Sequence, residues 1–344
     1  MNIYLDNGYL DIGAILSLGQ PWVFVVGGRG TGKTYGALKW VQDNNIKFMF
    51  MRRTQSQTDM INRPEFSPFK ALERDTNILT GTSSVSKYNA AFYRQEWAED
   101  GSRVNVGDPI GYTCALSTIV NLRGFDASDV ELLIFDEFIP EPHERPLKHE
   151  GTGLLNAYET INRNRELAGR KPLQVLALAN ANNISCPIFA DLGLIDLVDR
   201  QYRKHQEVKV YPDKGVAVVI LQHSRISEAK SATALYKMSA GTEFADMALA
   251  NRFSANDYNN VCSKPLGEYK SVFAVGDVCL YKHKSRREYY ACRVISGKPA
   301  KFDGTVIDMA VIKRRYDWLY FAILDGCVYF ADYYSKAKVL DIFT

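Results

Sequence analysis

The chain lacks most features that would place it in a membrane or outside a cell. No apolar run in its 344 residues approaches the ~20 that cross a bilayer. The six cysteines, Cys114, Cys186, Cys262, Cys279, Cys292 and Cys327, include no C-x-x-C pair. That spacing argues against a disulfide frame or a zinc site and for reduced thiols in a cytoplasm. Its five histidines form no ligand-like cluster. The amino terminus, Met1-Asn2-Ile3-Tyr4-Leu5-Asp6, has no basic patch leading into an apolar core, so no secretory signal is expected. There is no internal repeat and no low-complexity stretch. A composition of 46% apolar and 24% charged residues is that of a soluble globular protein, and the length allows about two domains.

What is present is a phosphate-binding loop. Gly27-Gly28-Arg29-Gly30-Thr31-Gly32-Lys33-Thr34 reads G-x-x-x-x-G-K-T. The apolar, β-branched run Trp22-Val23-Phe24-Val25-Val26 precedes it, and Tyr35-Gly36-Ala37-Leu38-Lys39-Trp40-Val41 suits a helix after it. The motif needs that strand–loop–helix context. Its glycines let backbone N–H groups curl around an anion, and the helix N-terminus adds partial positive charge. Lys33 then reaches the β/γ-phosphates of ATP, and Thr34 places a hydroxyl on Mg²⁺.

A second motif follows. Glu131-Leu132-Leu133-Ile134-Phe135-Asp136-Glu137 is an apolar run ending in two carboxylates, as in a Walker B strand. Asp136 is the metal residue, and Glu137 the group that orients and activates the attacking water. Many P-loop switch proteins lack that adjacent glutamate, whereas P-loop motors with an extra strand between the two motifs usually carry it. Ile46-Lys47-Phe48-Met49-Phe50-Met51, running into Arg52-Arg53, reads as the extra strand.

Further strands and helices alternate through residues 22–180, which predicts an α/β fold with a mainly parallel sheet. A helix is expected from about Gly153 to Arg165, with Leu154, Leu155, Tyr158 and Ile161 at helical spacing. Asn180 ends the apolar run 172–179 at the carboxyl end of a strand, where ligands bind in open α/β sheets. It either senses the γ-phosphate or the water, or caps a turn.

The expected domains are an ATPase domain over 1–208, a linking subdomain over 209–262 and a β-rich α+β domain over 263–344. In the last part, Trp318–Leu324 and Cys327–Phe330 flank Asp325-Gly326 and read as a hairpin. From residue 263 onward there are fourteen Lys and Arg against nine Asp and Glu. Lys282, Lys284, Arg286, Arg287 and Lys313-Arg314-Arg315 are interleaved with Tyr281, Tyr289, Tyr290, Tyr316, Trp318 and Tyr320. Such a surface suits a nucleic-acid backbone, and equally a solvated strand face over core tyrosines.

The ordered motifs resemble the DNA packaging ATPases, or encapsidation proteins, of phi29-type tailed phages. The resemblance rests on the loop with Arg29 inside it, the aromatic strand into Arg52-Arg53, and Ile134-Phe135-Asp136-Glu137-Phe138. Asn162-Arg163-Asn164-Arg165-Glu166 and Leu178-Ala179-Asn180 add to it. Gly241-Thr242-Glu243-Phe244-Ala245-Asp246-Met247 with Leu249, Asn251 and Phe253 resembles that family's linker region.

The resemblance implies an additional-strand, catalytic-Glu P-loop ATPase using ATP and Mg²⁺. It implies a homo-oligomeric ring, pentameric in the family, at the portal vertex of an empty capsid in the host cytoplasm. That ring drives double-stranded DNA inward, with a structural RNA as a further partner and no membrane. An arginine of one subunit completes the site of the next. Arg163 matches the family's finger, with Arg165 second; Glu159 and Glu166 also offer Arg163 in-helix salt bridges. Arg123 matches another basic residue of the family. The last domain resembles an RNase H-like nuclease that has lost its activity, with Asp277, Asp303, Asp308, Asp325 and Asp332 as the available carboxylates. Two other readings remain: a terminase-like or helicase-like nucleic-acid ATPase, and a non-catalytic nucleotide-binding switch.

Overall fold

The computed structural model describes residues 2–122, 124–141, 144, 147, 149–221, 225–242, 245 and 259–343. They divide into two compact units, Met1–Leu192 with Arg200–Ala255, and Gly193–Asp199 with Asn256–Thr344.

The first unit is built on a nine-stranded sheet. Its strands are β1 (Trp22–Val26), β2 (Phe48–Arg52), β3 (Leu79–Ser84), β4 (Ala90–Trp97), β5 (Arg103–Ala115), β6 (Leu132–Asp136), β7 (Gln174–Ala179), β8 (Val208–Tyr211) and β9 (Val216–Ile220). In space they run β3-β4-β5-β2-β6-β7-β1-β9-β8. The block from β5 to β9 is parallel throughout, and β3, β4 and β8 are antiparallel additions at its edges. Parallel strands covered on both faces should be apolar at every position. β6 and β9 are buried along their whole lengths, and β1 everywhere but Trp22. Under β1, Phe24 packs edge-on against Phe138 at 5.5 Å and Phe189 at 5.4 Å.

Three expectations are corrected here. The strand between the two nucleotide motifs in the sheet is β7, not the run Ile46–Met51. β2 lies on the far side of β6, because a crossover connection can set a strand beside any neighbour and chain order does not fix spatial order. Residues 209–220, assigned above to a linker, supply most of β8 and all of β9, and β9 pairs with β1 from Trp22↔Val216 to Val26↔Ile220. The helix expected to reach Arg165 spans Glu150–Asn162 and stops at Arg163, whose φ of 43° and ψ of −153° leave the helical region. The linker resemblance at Glu243, Phe244 and 246–253 lies outside the described residues, as does Arg123.

The second unit holds a five-stranded sheet of β10 (Tyr269–Val275), β11 (Val278–His283), β12 (Tyr289–Cys292), β13 (Ala300–Phe302) and β14 (Val328–Phe330). β10, β11 and β12 form an antiparallel meander. β13 joins β10 in parallel, and β14 joins β12 in parallel on the other edge. The expected hairpin across Asp325-Gly326 is absent, since Trp318–Leu324 is a helix entered through an Asp317 side-chain cap. Leu319 and Ala322, three residues apart, face the core. A short apolar run does not distinguish helix from strand by itself. Four of the six interleaved aromatics resolve as core, while Trp318 is partly buried and Tyr320 exposed. Tyr281, Tyr289, Tyr290 and Tyr316 are buried while Lys282, Lys284, Arg286 and Arg287 are exposed, because a two-residue period in β11 turns Tyr281 inward and Lys282 outward. Among the described residues no helix is long and apolar enough to cross a membrane.

Candidate nucleotide site

The loop Gly27–Thr34 joins β1 to the helix Lys33–Asp43 at the carboxyl edge of the parallel block. Gly32 caps that helix with a φ of 85°, a region glycine enters without Cβ strain. Gly27 is fixed by contact instead: a Cβ there would lie 2.5 Å from Leu221 Cδ1.

Lys33 is buried at the centre of the site. Its ammonium donates to the carbonyls of Gly27 (3.0 Å) and Gly28 (2.7 Å), and more distantly to Thr31 Oγ1 and Asn180 Oδ1, both at 3.4 Å. Burial pushes it down to about 8, with the Asp136 carboxylate pulling the other way. Thr34 Oγ1 donates to Asp136 Oδ1 at 2.8 Å, so sequence positions 102 residues apart meet. A hydroxyl and a carboxylate converging on one point are the oxygen donors Mg²⁺ prefers. These residues therefore fit the metal.

Arg52, at the end of β2, holds both Walker B carboxylates. It reaches Asp136 Oδ2 at 3.2 Å and also pairs with Glu137. Glu137 is half exposed at the strand's end with a φ of 59°, an uncommon backbone for a non-glycine residue and one that clusters at functional sites. Its partial burial pushes its carboxyl up, Arg52 opposes that, and the nearby Asp136, Glu141 and Glu144 add to the rise. Asn180, ending β7 between β6 and β1, donates to Glu141 Oε1 at 3.2 Å, and Arg29 reaches the same oxygen at 2.7 Å. Arg29, Glu141, Asn180 and Lys33 are thus linked across the mouth of the loop.

The neighbouring Arg53 has a different part. It is 1% exposed and pairs with Glu150 at 2.6 Å and Glu144 at 2.9 Å. Breaking a buried pair of this kind by removing one partner costs about 3–5 kcal/mol, so Arg53 holds the β2 end against the helix Glu150–Asn162.

The two candidate fingers separate. Neither lies on the helix, so the expected in-helix pairs of Arg163 do not form. Arg163 is half exposed, donates to the Phe125 carbonyl at 2.8 Å and faces the exposed Asp126 at 3.6 Å. Arg165 is 5% exposed and donates to the carbonyls of Ala127 (3.3 Å), Ser128 (3.1 Å) and Val130. It closes the turn that leads into β6. The pairing of Arg52 with the Walker B carboxylates and the place of Glu141 were not legible in the sequence. An arginine ending the strand beside β6 was the available signal for the first; nothing marked the second.

A family model for the podovirus DNA encapsidation protein (Gp16) matches residues 7–281. The chain belongs to that family. Two solved structures resemble it over 98% of both chains: the phi28 gp11 DNA packaging motor, with a TM-score of 0.62 and 20% identity, and the bacteriophage phi29 viral genome packaging motor assembly, with 0.63 and 17%. At that identity the likeness shows a shared fold. No curated protein matches the chain.

Proposed function

We propose that this encapsidation-family chain is an ATP-driven motor that moves double-stranded viral DNA into a preformed capsid, hydrolysing ATP at sites completed by a neighbouring subunit in a ring. The observation that carries the hydrolytic reading is the meeting of Lys33, Thr34, Asp136 and Glu137 at one loop mouth.

The loop N–H groups and the helix N-terminus bind the phosphates, and Lys33 carries charge to the β/γ junction. Thr34 and Asp136 would hold Mg²⁺, which when bound would neutralise charge on the phosphate oxygens. Glu137 orients the attacking water and accepts its proton on a carboxylate oxygen. Asn180 contacts the γ-phosphate or that water. Arg163 reaches the nucleotide of the adjacent subunit, whereas the buried Arg165 supports the turn behind it. Arg163's own contacts are a carbonyl and an exposed carboxylate, and exposed pairs contribute about 0–1 kcal/mol, so little opposes its release to a neighbour.

The ring, a pentamer by family resemblance, would dock at the portal vertex in the host cytoplasm, with a structural RNA as a further partner. The exposed Lys282, Lys284, Arg286 and Arg287 of the second unit suit a nucleic-acid backbone. Four of its five candidate nuclease carboxylates are engaged separately. Asp277 accepts from Tyr334 at 2.9 Å, Asp325 pairs with Arg287 at 2.7 Å, Asp332 pairs with Arg293 at 3.0 Å, and Asp308 closes a capping box. We therefore assign the second unit binding rather than cleavage, as in a vestigial RNase H-like domain.

The test is steady-state ATP hydrolysis by the full chain with and without double-stranded DNA. Turnover should rise on adding DNA; equal rates would remove the motor reading. The charged form of Lys33 binds phosphate, so kcat/KM for ATP should be full below about 8 and fall as pH rises through that value. The alkaline limb of kcat/KM reports the free protein. A profile flat across that value would show that Lys33 keeps its proton there.

A further inference from the structure

Lys230 reaches the phosphate loop from the helix Arg225–Ser231, 201 residues further along the chain. Its ammonium donates to the Arg29 carbonyl at 2.5 Å. Gly30 makes room for it. A Cβ on that residue would sit 2.0 Å from Lys230 Nζ and 2.9 Å from Cε. Position 30 is one the loop pattern leaves open to any residue, and its φ of +69° also favours glycine. Among the described residues, the ammonium's other contact is the Tyr236 ring at 5.9 Å.

This corner of the site is rich in cations. Arg29 has Glu141 as a partner, and Lys33 has loop carbonyls and the more distant Asn180. Lys230 and Arg29 both disfavour the charge on Lys33, and burial pushes Lys230 itself down. Arg29, Lys33 and Lys230 gather at the loop, with Glu141 on Arg29 and with Asp136 and Glu137 favouring the charge on Lys33. Among the described residues Lys230 has a carbonyl and a ring beside it; a phosphate oxygen would supply the anion. The loop holds the β-phosphate at the helix N-terminus. Lys230 meets the loop at Arg29, whose side chain shares Glu141 Oε1 with Asn180.

We propose that Lys230 is a second phosphate-binding lysine of this site, acting in the same subunit as Lys33 and contacting the γ-phosphate of a bound nucleoside triphosphate. It exchanges the Arg29 carbonyl for a phosphate oxygen, so the helix Arg225–Ser231 responds to a triphosphate and not to a diphosphate. This rests on the ATPase reading above.

The experiment is calorimetric titration of the full chain with MgATPγS and with MgADP, for wild type, Lys230→Gln and Lys230→Arg. One hydrogen bond between charged groups corresponds to about tenfold or more in affinity. Lys230→Gln should lose that factor for MgATPγS and stay within about twofold for MgADP, while Lys230→Arg keeps most of the preference. An equal loss for both nucleotides would make Lys230 a loop tether and overturn the proposal, as would no loss at all. If Lys230→Gln does not fold, acylation of wild-type lysines read by mass spectrometry serves instead. MgATPγS should protect Lys230 more than MgADP does, and equal protection overturns the proposal. Wild type that binds and hydrolyses ATP while Lys230→Gln keeps its triphosphate preference sinks this proposal alone. Wild type that binds neither nucleotide sinks the ATPase reading with it.

Discussion

Replacing Arg163 with alanine should lower the turnover of assembled rings by about 10³-fold or more, because an arginine finger contributes about 10³–10⁵ to phosphoryl transfer. Nucleotide binding to the isolated subunit should change little, since the partners of Arg163 are Phe125 and Asp126 and not the phosphate loop. The decisive form of the test mixes two inactive proteins. Arg163→Ala leaves a subunit with a complete loop and base but nothing to offer its neighbour. Glu137→Gln leaves one with a finger but no base. In a randomly mixed ring of head-to-tail contacts, about a quarter of the interfaces pair an intact base with an intact finger. Hydrolysis should therefore reappear on mixing. If the mixture stays as inactive as its components, Arg163 acts within its own subunit or not at all. The backbone at Arg163 supports the finger. Its φ of 43° lies where non-glycine residues are strained, and the strain sits on an exposed side chain beyond a helix end.

Glu137→Gln by itself should abolish hydrolysis, by about 10²–10⁴-fold, the range for losing a positioned general base. ATP should still bind, because Lys33, Thr34 and Asp136 are untouched and glutamine keeps the shape of the side chain. The change also removes one of the two carboxylates that Arg52 holds. Single-turnover hydrolysis read alongside binding of a fluorescent ATP analogue separates the two effects. Hydrolysis within tenfold of wild type would falsify the assignment of Glu137 as the base. Binding lost together with hydrolysis would show instead that Glu137 supports the loop.

The phosphate loop and the Walker B carboxylates were legible because nucleotide chemistry fixes their residue types and spacing, and a strand apolar at every position is hard to place elsewhere than inside a sheet. The order of the strands was not legible. Nothing in the run Ile46–Met51 says that it lies beyond β6, or that Gln174–Ala179 lies between the two motifs. Val216–Ile220 went unread as a core strand because polar segments on both sides masked a six-residue apolar stretch. Trp318–Leu324 favours a strand by composition, and its Asp317 cap and the packing of Leu319 and Ala322 override that preference. Arg163 ranked ahead of Arg165, two residues on, by resemblance alone. Only burial separates them, and burial depends on the turn 125–130, which no local pattern announces.

The pairing of β1 has a consequence for how the chain is made. β1 emerges early, yet it lies between β7 and β9, beside residues near positions 175 and 216. During synthesis from the amino terminus, the strand that carries the phosphate loop waits with open edges until well over half of the chain has left the ribosome. Such long-range parallel pairings form slowly, and their unpaired edges invite wrong partners. The nucleotide site is thus among the last parts of the first unit to form, and a nascent chain that stops before Val216 carries the binding motif on a strand with one edge unpaired.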